Sequence, residues 1–217
     1  IPVLVSSLAK GAVHGSVVNS GIAGATVFID TNGNGKLDAG EVSTQSDVNG
    51  RFVLPANAPS GTIFLEGGID LATRQANTAI LKAPVGATTV NLFTTLVLTM
   101  IDTGVAATEE QAQGLLFAAL KLPQQVSLSA FDPIQAALHG DPSTQAAAVA
   151  LETKMVEVAN LVQVAQAALT AAQVDPAQAQ NAALQAIAKS VGDSARTGID
   201  LSQADTVARL VDGYHPN

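Results

Sequence analysis

Twelve consecutive residues carry the densest run of hard-oxygen chemistry in the chain: Asp30-Thr31-Asn32-Gly33-Asn34-Gly35-Lys36-Leu37-Asp38-Ala39-Gly40-Glu41. Asp30, Asn32 and Asn34 place side-chain oxygens at the first, third and fifth positions of this run. Gly35 stands at the sixth, where a sharp turn is needed, and Lys36 offers its backbone carbonyl at the seventh. Asp38 occupies the ninth and Glu41 the twelfth, where a carboxylate closes a site with both oxygens. Ca²⁺ takes six to eight hard oxygens, and this spacing wraps oxygen after oxygen around one point. Leu37 is expected to anchor the loop to a core. The competing reading is a polar Asn-Gly hairpin turn with incidental carboxylates, and the match at every oxygen-bearing position weighs against it. The segments on either side read as strands rather than helices, so the expectation is a strand–loop–strand calcium site and not an EF-hand.

Other chemistries find less support. His14, His139 and His215 lie far apart in sequence, and none has metal-ligand spacing to another histidine. Gly33-Asn34-Gly35 lacks the Lys-Ser/Thr ending of a phosphate loop, and no nucleophile–base pair is evident. With one tyrosine, Tyr214, and no tryptophan, the chain lacks flat aromatic platforms for sugars. An enzyme is not expected. The net charge is -8 and the ten Lys and Arg are scattered, which excludes the clustered basic surface that nucleic acid requires and disfavours anionic lipid. No cysteine is present, hence no disulfide and no thiolate metal site. The apolar run 92–101 is about half the ~20 residues of a membrane helix, so no membrane span is expected. A first residue of Ile1 rather than Met is expected to reflect removal of something before it: a signal peptide, the rest of a larger precursor, or sequence left out where the chain was cut.

The elements that must hold the loop change character along the chain. Up to about residue 91, short β-branched runs alternate with turn signals such as Asn32-Gly33, Asn49-Gly50 and Gly67-Gly68. Strands are predicted at 12–18, 25–29, 42–46, 51–54, 62–65, 78–81 and 88–91, at the spacing of an antiparallel sandwich. From residue 92 the composition turns to Ala, Gln and Leu. Helices are predicted at 92–101, 109–120, 133–138, 142–173, 176–190 and 203–211. Thr108 with Gln111 and Asp175 with Gln178 read as capping boxes. Asp132-Pro133, Asp141-Pro142 and Asp175-Pro176 each place a capping carboxylate before a proline that needs no amide partner. Along 142–173, the residues Leu151, Met155, Val158, Val162, Ala165, Leu169 and Ala172 recur at alternating spacings of four and three, one apolar seam that reads as packing against neighbouring helices of the chain, with an intermolecular coiled coil as the alternative. The fold class is therefore α+β: an N-terminal arm over 1–10, an antiparallel β-sandwich over 11–91 and a mostly helical region over 92–217.

The order Gly15-Ser16-Val17-Val18, Ile22 to Asp30, the oxygen-rich loop, then Ser46-Asp47-Val48-Asn49-Gly50-Arg51-Phe52-Val53-Leu54 resembles the prealbumin-like, collagen-adhesin B-type modules of secreted bacterial surface proteins. The resemblance covers roughly residues 12–66. It implies a prealbumin- or Ig-like sandwich with a mechanical or spacer role, no catalysis, and a secreted, extracellular location on the bacterial cell surface. Gly67-Gly68-Ile69-Asp70, Asn91-Leu92-Phe93-Thr94-Thr95-Leu96-Val97 and Phe131-Asp132-Pro133 are similar to a segment that follows such modules in large secreted bacterial proteins. The run Ile1-Pro2-Val3-Leu4-Val5-Ser6-Ser7-Leu8 is apolar on both strand faces. It reads as an extra strand of its own sandwich, as a disordered stub, or as a donor strand completing a neighbouring subunit. The functional expectation is a calcium-stabilised structural subunit that self-associates into a surface filament or biofilm matrix. The alternative is a stalk or anchoring module of a large adhesin, whose partners are neighbouring modules of the same protein.

Overall fold

A computed structural model describes residues 13–17, 21–122, 126–194 and 198–199. The arm over 1–10 and the predicted helix at 203–211 lie outside the described residues. The chain is mixed α+β and divides into two compact units, Ile1–Val90 and Asn91–Asn217.

The first unit holds the strands. β1 (Val13–Val17) pairs antiparallel with β5 (Arg51–Leu54) and parallel with β9 (Thr89–Val90). A four-stranded antiparallel sheet has the order β4-β3-β6-β8, made of β3 (Thr26–Asp30), β4 (Ser43–Gln45), β6 (Thr62–Glu66) and β8 (Leu81–Ala83). A two-residue pairing joins β2 (Ile22–Ala23) to β7 (Ile69–Asp70). Period-two alternation does the sorting: Ile63 and Leu65 of β6 point inward, and Phe52 and Leu54 of β5 do the same from their own sheet. These residues share one core with Val27, Ile29, Leu81, Ala83 and Val90. Each large side chain buried there contributes about 1.5–3 kcal/mol.

Two details depart from the sequence reading. The strand expected at 78–81 begins only at Leu81. Asn77 explains the delay, because its Nδ2 donates to the carbonyls of Gly67 (3.0 Å) and Ala79 (2.9 Å) while Ala79 N–H donates to its Oδ1 (3.1 Å). The backbone before Leu81 is thus held in a side-chain turn instead of a ladder. The short pair β2–β7 went unpredicted because two residues are too few to show an alternation.

In the second unit, α1 (Leu92–Asp102) starts in a reciprocal capping box. Thr94 N–H donates to Asn91 Oδ1 and Asn91 N–H donates to Thr94 Oγ1, each at 2.9 Å. α2 (Glu109–Leu120) is capped by Thr108, whose Oγ1 accepts from Gln111 N–H, while the Gln111 side chain accepts from Ala107 rather than closing the box on Thr108. α3 (Pro133–His139) and α4 (Pro142–Ala171) begin on Asp132 and Asp141, each followed by a proline. α5 is Pro176–Ser194. The α4 seam from Leu151 to Leu169 is buried against α5 and α3, but Ala172 is exposed as the residue that caps the helix end. Among the described residues no helix is long and apolar enough to cross a membrane.

The Asp141 cap makes a pH prediction. Hydrogen bonds from the Ser143 hydroxyl, then from the Thr144 N–H and hydroxyl, hold its carboxyl well below the usual carboxylate value, at about 2. A depressed folded value means the cap stabilises α4 fully above the unfolded value near 4 and is lost as pH falls through about 2. Carbon-13 NMR should place the Asp141 carboxyl midpoint near 2, and Ser143→Ala should raise it. A midpoint at the ordinary value in both proteins would remove the cap from the account.

Candidate metal centre

The oxygen-rich loop leaves the sheet at the end of β3 and rejoins it at β4. The two strands pair with Thr26 opposite Gln45 and Phe28 opposite Ser43, and Ile29 N–H donates to the Val42 carbonyl at 3.0 Å, which brings the ends of the loop side by side. Asp30, the last residue of β3, is buried at 3% exposure. A carboxylate there needs donors, and the loop backbone supplies them. Its Oδ1 accepts from Asn32 N–H (3.2 Å) and Gly33 N–H (2.7 Å), and its Oδ2 accepts from Gly35 N–H (2.7 Å). The chain curls around Asp30 to do this, and Gly35 turns through φ +71, a conformation glycine adopts without steric cost.

The remaining loop side chains join the same network. Asn32 Oδ1 accepts from Asn34 N–H at 3.0 Å, and Asn34 Oδ1 from Lys36 N–H at 2.8 Å. Both amides then donate through Nδ2 to one oxygen, Asp38 Oδ2, at 2.7 and 2.6 Å. These two bonds, followed by the Lys36 charge, hold the Asp38 carboxyl below its ordinary value. Glu41 closes the loop: its Oε1 accepts from Thr31 N–H (2.8 Å) and the Thr31 hydroxyl (3.0 Å), and its Oε2 from Asp38 N–H (3.1 Å).

Asp30, Asn32, Asn34, Asp38 and Glu41 are thus brought into one hydrogen-bonded loop, which Lys36 enters through its backbone. In this arrangement the carboxylates are served by protein N–H groups, and no three His, Cys, Asp or Glu side chains form a metal-holding cluster among the described residues. The donor chemistry of the loop nonetheless fits a hard cation. Three carboxylates and two amide oxygens come from twelve residues, and softer nitrogen and sulfur donors are absent from them.

Leu37 does not anchor the loop: it is 40% exposed. Phe64 lies beneath instead, stacked on Phe28 with ring centroids 5.4 Å apart. A Cβ added to Gly35 would touch the Phe64 ring at 3.7 Å, so the turn rests directly over that ring. Thr31 and Gly61 are further contributors that the spacing did not reveal. Thr31 gives Glu41 two donors, and Gly61 lies against the Asp30 carbonyl. A hydroxyl inside an oxygen-rich loop is the signal that could have found Thr31, while Gly61 is brought in only by the β3–β6 pairing. No family model, curated protein or solved structure matches the chain.

Proposed function

We propose that the chain is a non-enzymatic, calcium-stabilised structural protein of the bacterial cell surface, a subunit that self-associates in an extracellular filament or matrix. Its β-rich unit is read as a prealbumin-like sandwich, which the common core of the two larger sheets supports. The observation that supports the reading is the closed Asp30–Glu41 loop at the end of a strand, where three carboxylates from twelve residues are each tied to the loop's own N–H and amide groups. Asp30, Asn32, Asn34, the Lys36 carbonyl, Asp38 and Glu41 would hold Ca²⁺. The ion would supply charge neutralisation and a cross-link between the ends of β3 and β4. Such a site suits an extracellular module, where calcium is abundant and stiffness is the useful property.

Isothermal titration should detect one calcium site per chain, and its heat should vanish in the Asp30→Ala/Glu41→Ala double variant. No heat in the native chain, or undiminished heat in the variant, rejects the site. The self-association arm of the reading is tested by deleting residues 1–8, which should abolish filaments seen by negative-stain microscopy while leaving calcium binding intact. Unchanged filaments after the deletion reject the arm as the assembling strand.

A further inference from the structure

Three Asn-Gly pairs stand in the β-rich unit: Asn32-Gly33, Asn34-Gly35 and Asn49-Gly50. All three asparagines are exposed. In such a pair the glycine backbone nitrogen can attack the asparagine side-chain Cγ, because glycine has no side chain to hinder the approach. The attack needs the glycine N–H to give up its proton and the side-chain amide to turn towards the nitrogen. In the loop neither demand is met. Gly33 N–H and Gly35 N–H each donate to a carboxylate oxygen of Asp30 at 2.7 Å. Removing either proton would set a nitrogen anion against that carboxylate, and a hydrogen bond to an ionised acceptor is about twice as strong as a neutral one. The side chains are held as well. Asn32 Oδ1 accepts from Asn34 N–H and Asn34 Oδ1 from Lys36 N–H, while both Nδ2 atoms donate to Asp38 Oδ2. Asn49 differs on both counts. It lies in the turn between β4 and β5, and its side chain has no hydrogen-bond partner among the described residues. Gly50 N–H donates to a neutral acceptor, the Asp47 carbonyl, at 3.0 Å. Gly50 is buried, so base reaches this N–H when the turn opens. Opening it breaks that one neutral bond, whereas opening the loop pairs breaks bonds to a carboxylate.

We infer that Asn49 is a site of spontaneous covalent modification, and that the Asp30 network spares Asn32 and Asn34 the same reaction. A bond forms between Gly50 N and Asn49 Cγ, and the bond from Cγ to Nδ2 breaks. The proton that leaves Gly50 N departs with the amide group as ammonia. Water then opens the resulting five-membered ring at one of its two carbonyls. One opening leaves aspartate at position 49. The other leaves isoaspartate, whose main chain runs through the former side chain and is one methylene longer. Either product sets a new carboxylate two residues from Asp47. The longer main chain also strains a turn in which Asp47 Oδ1 accepts from the N–H groups of Asn49 (2.8 Å) and Arg51 (2.9 Å). Arg51 is the first residue of β5 and pairs with Ser16 of β1, so the change falls at the edge of that ladder. The chain thus ages at the β4–β5 turn while the neutral amides of the oxygen-rich loop persist. No step of this chemistry involves calcium, so it stands apart from the calcium reading.

The test is incubation of the full chain in chelator at mildly alkaline pH, followed by peptide mapping with mass spectrometry. Trypsin cuts after Lys36 and Arg51, which puts the loop asparagines and Asn49 on different peptides. Asn49 should convert about tenfold or more faster than Asn32 and Asn34, the difference between opening a neutral and a carboxylate hydrogen bond. In denaturant the three rates should draw together, since the Asn-Gly pair is common to all. Asp30→Ala should speed conversion of Asn32 and Asn34 by about tenfold and leave Asn49 as it was. Should that variant fail to fold, Asp38→Ala serves instead. Asp38 is exposed, and its loss frees both loop amides without touching the Asp30 bonds, so it should speed the same two residues by a smaller factor. An intact Asn49 in a folded chain whose denatured form converts, or loop asparagines converting as fast as Asn49, overturns the proposal. Loop rates unchanged in a folded Asp30→Ala or Asp38→Ala protein also overturn it.

Discussion

Asp30→Ala is expected to lower the stability of the β-rich unit by about 3 kcal/mol in chelator, and to abolish any stabilisation by calcium. The first effect comes from the protein alone. Asp30 is buried and accepts from the N–H groups of Asn32, Gly33 and Gly35. Alanine removes the acceptor for all three at once, and an unsatisfied, partly buried donor costs about 1–3 kcal/mol. Water reaching the exposed side of the loop recovers part of this, hence a sum nearer the low end per donor. The second effect is linkage. An ion that binds only the native state stabilises it by about 2.7 kcal/mol at a free concentration one hundred times its dissociation constant. The native protein should therefore melt higher as calcium rises, and the variant should melt at one temperature throughout. Calorimetry and circular dichroism suit the measurement, since the chain has no tryptophan. Asp30→Asn separates the two effects: it keeps one acceptor oxygen and should lose less stability in chelator, yet still bind calcium at least tenfold more weakly. An Asp30→Ala protein as stable as the native one would show that the backbone donors are satisfied without Asp30. A calcium response preserved in both variants would exclude Asp30 as a ligand.

How far the sequence could be read follows from the range of each interaction. The capping carboxylates Asp132 and Asp141 act on N–H groups two and three residues ahead, so Asp-Pro pairs announce the starts of α3 and α4. The internal bonds of the loop are equally local: Asn32 to Asn34, Asn34 to Lys36, and Asp30 to Gly35 all lie within twelve contiguous residues. What supports the loop from outside was not legible. Phe64 and Gly61 reach it only because β6 pairs with β3 with Asp30 opposite Thr62, a registration no local pattern announces. The anchoring role expected of Leu37 fails for the same reason, since the apolar support comes from Phe64 across the sheet and Leu37 is 40% exposed.

Gly61→Ala is expected to destabilise the β-rich unit by about 2 kcal/mol and to weaken calcium binding about tenfold, although Gly61 contributes no ligand. Its backbone does not lie in the left-handed region, so the requirement for glycine is space. A Cβ at this position would press on the Asp30 carbonyl oxygen, stand 2.6 Å from Ile29 Cγ2 and lie 3.0 Å from the Asp30 carbonyl carbon. Two of those contacts are backbone and the third belongs to a core side chain, so the far end of a flexible side chain cannot simply swing away. Relief must come from moving the end of β3 away from the start of β6, which shifts the Asp30–Thr62 pairing and with it the first residue of the loop. Calcium affinity is sensitive to such a shift because ligand oxygens must converge on one point, and supporting groups commonly matter by about 10–100-fold. Gly114→Ala is the control: it sits in α2, its added Cβ meets nothing within 4 Å, and it should leave calcium binding unchanged. Denaturant unfolding in chelator reads the first effect and titration calorimetry the second. A Gly61→Ala protein with native affinity but reduced stability would mean that the end of β3 yields without carrying the loop along, and native values of both would refute the close packing of Gly61 on Asp30.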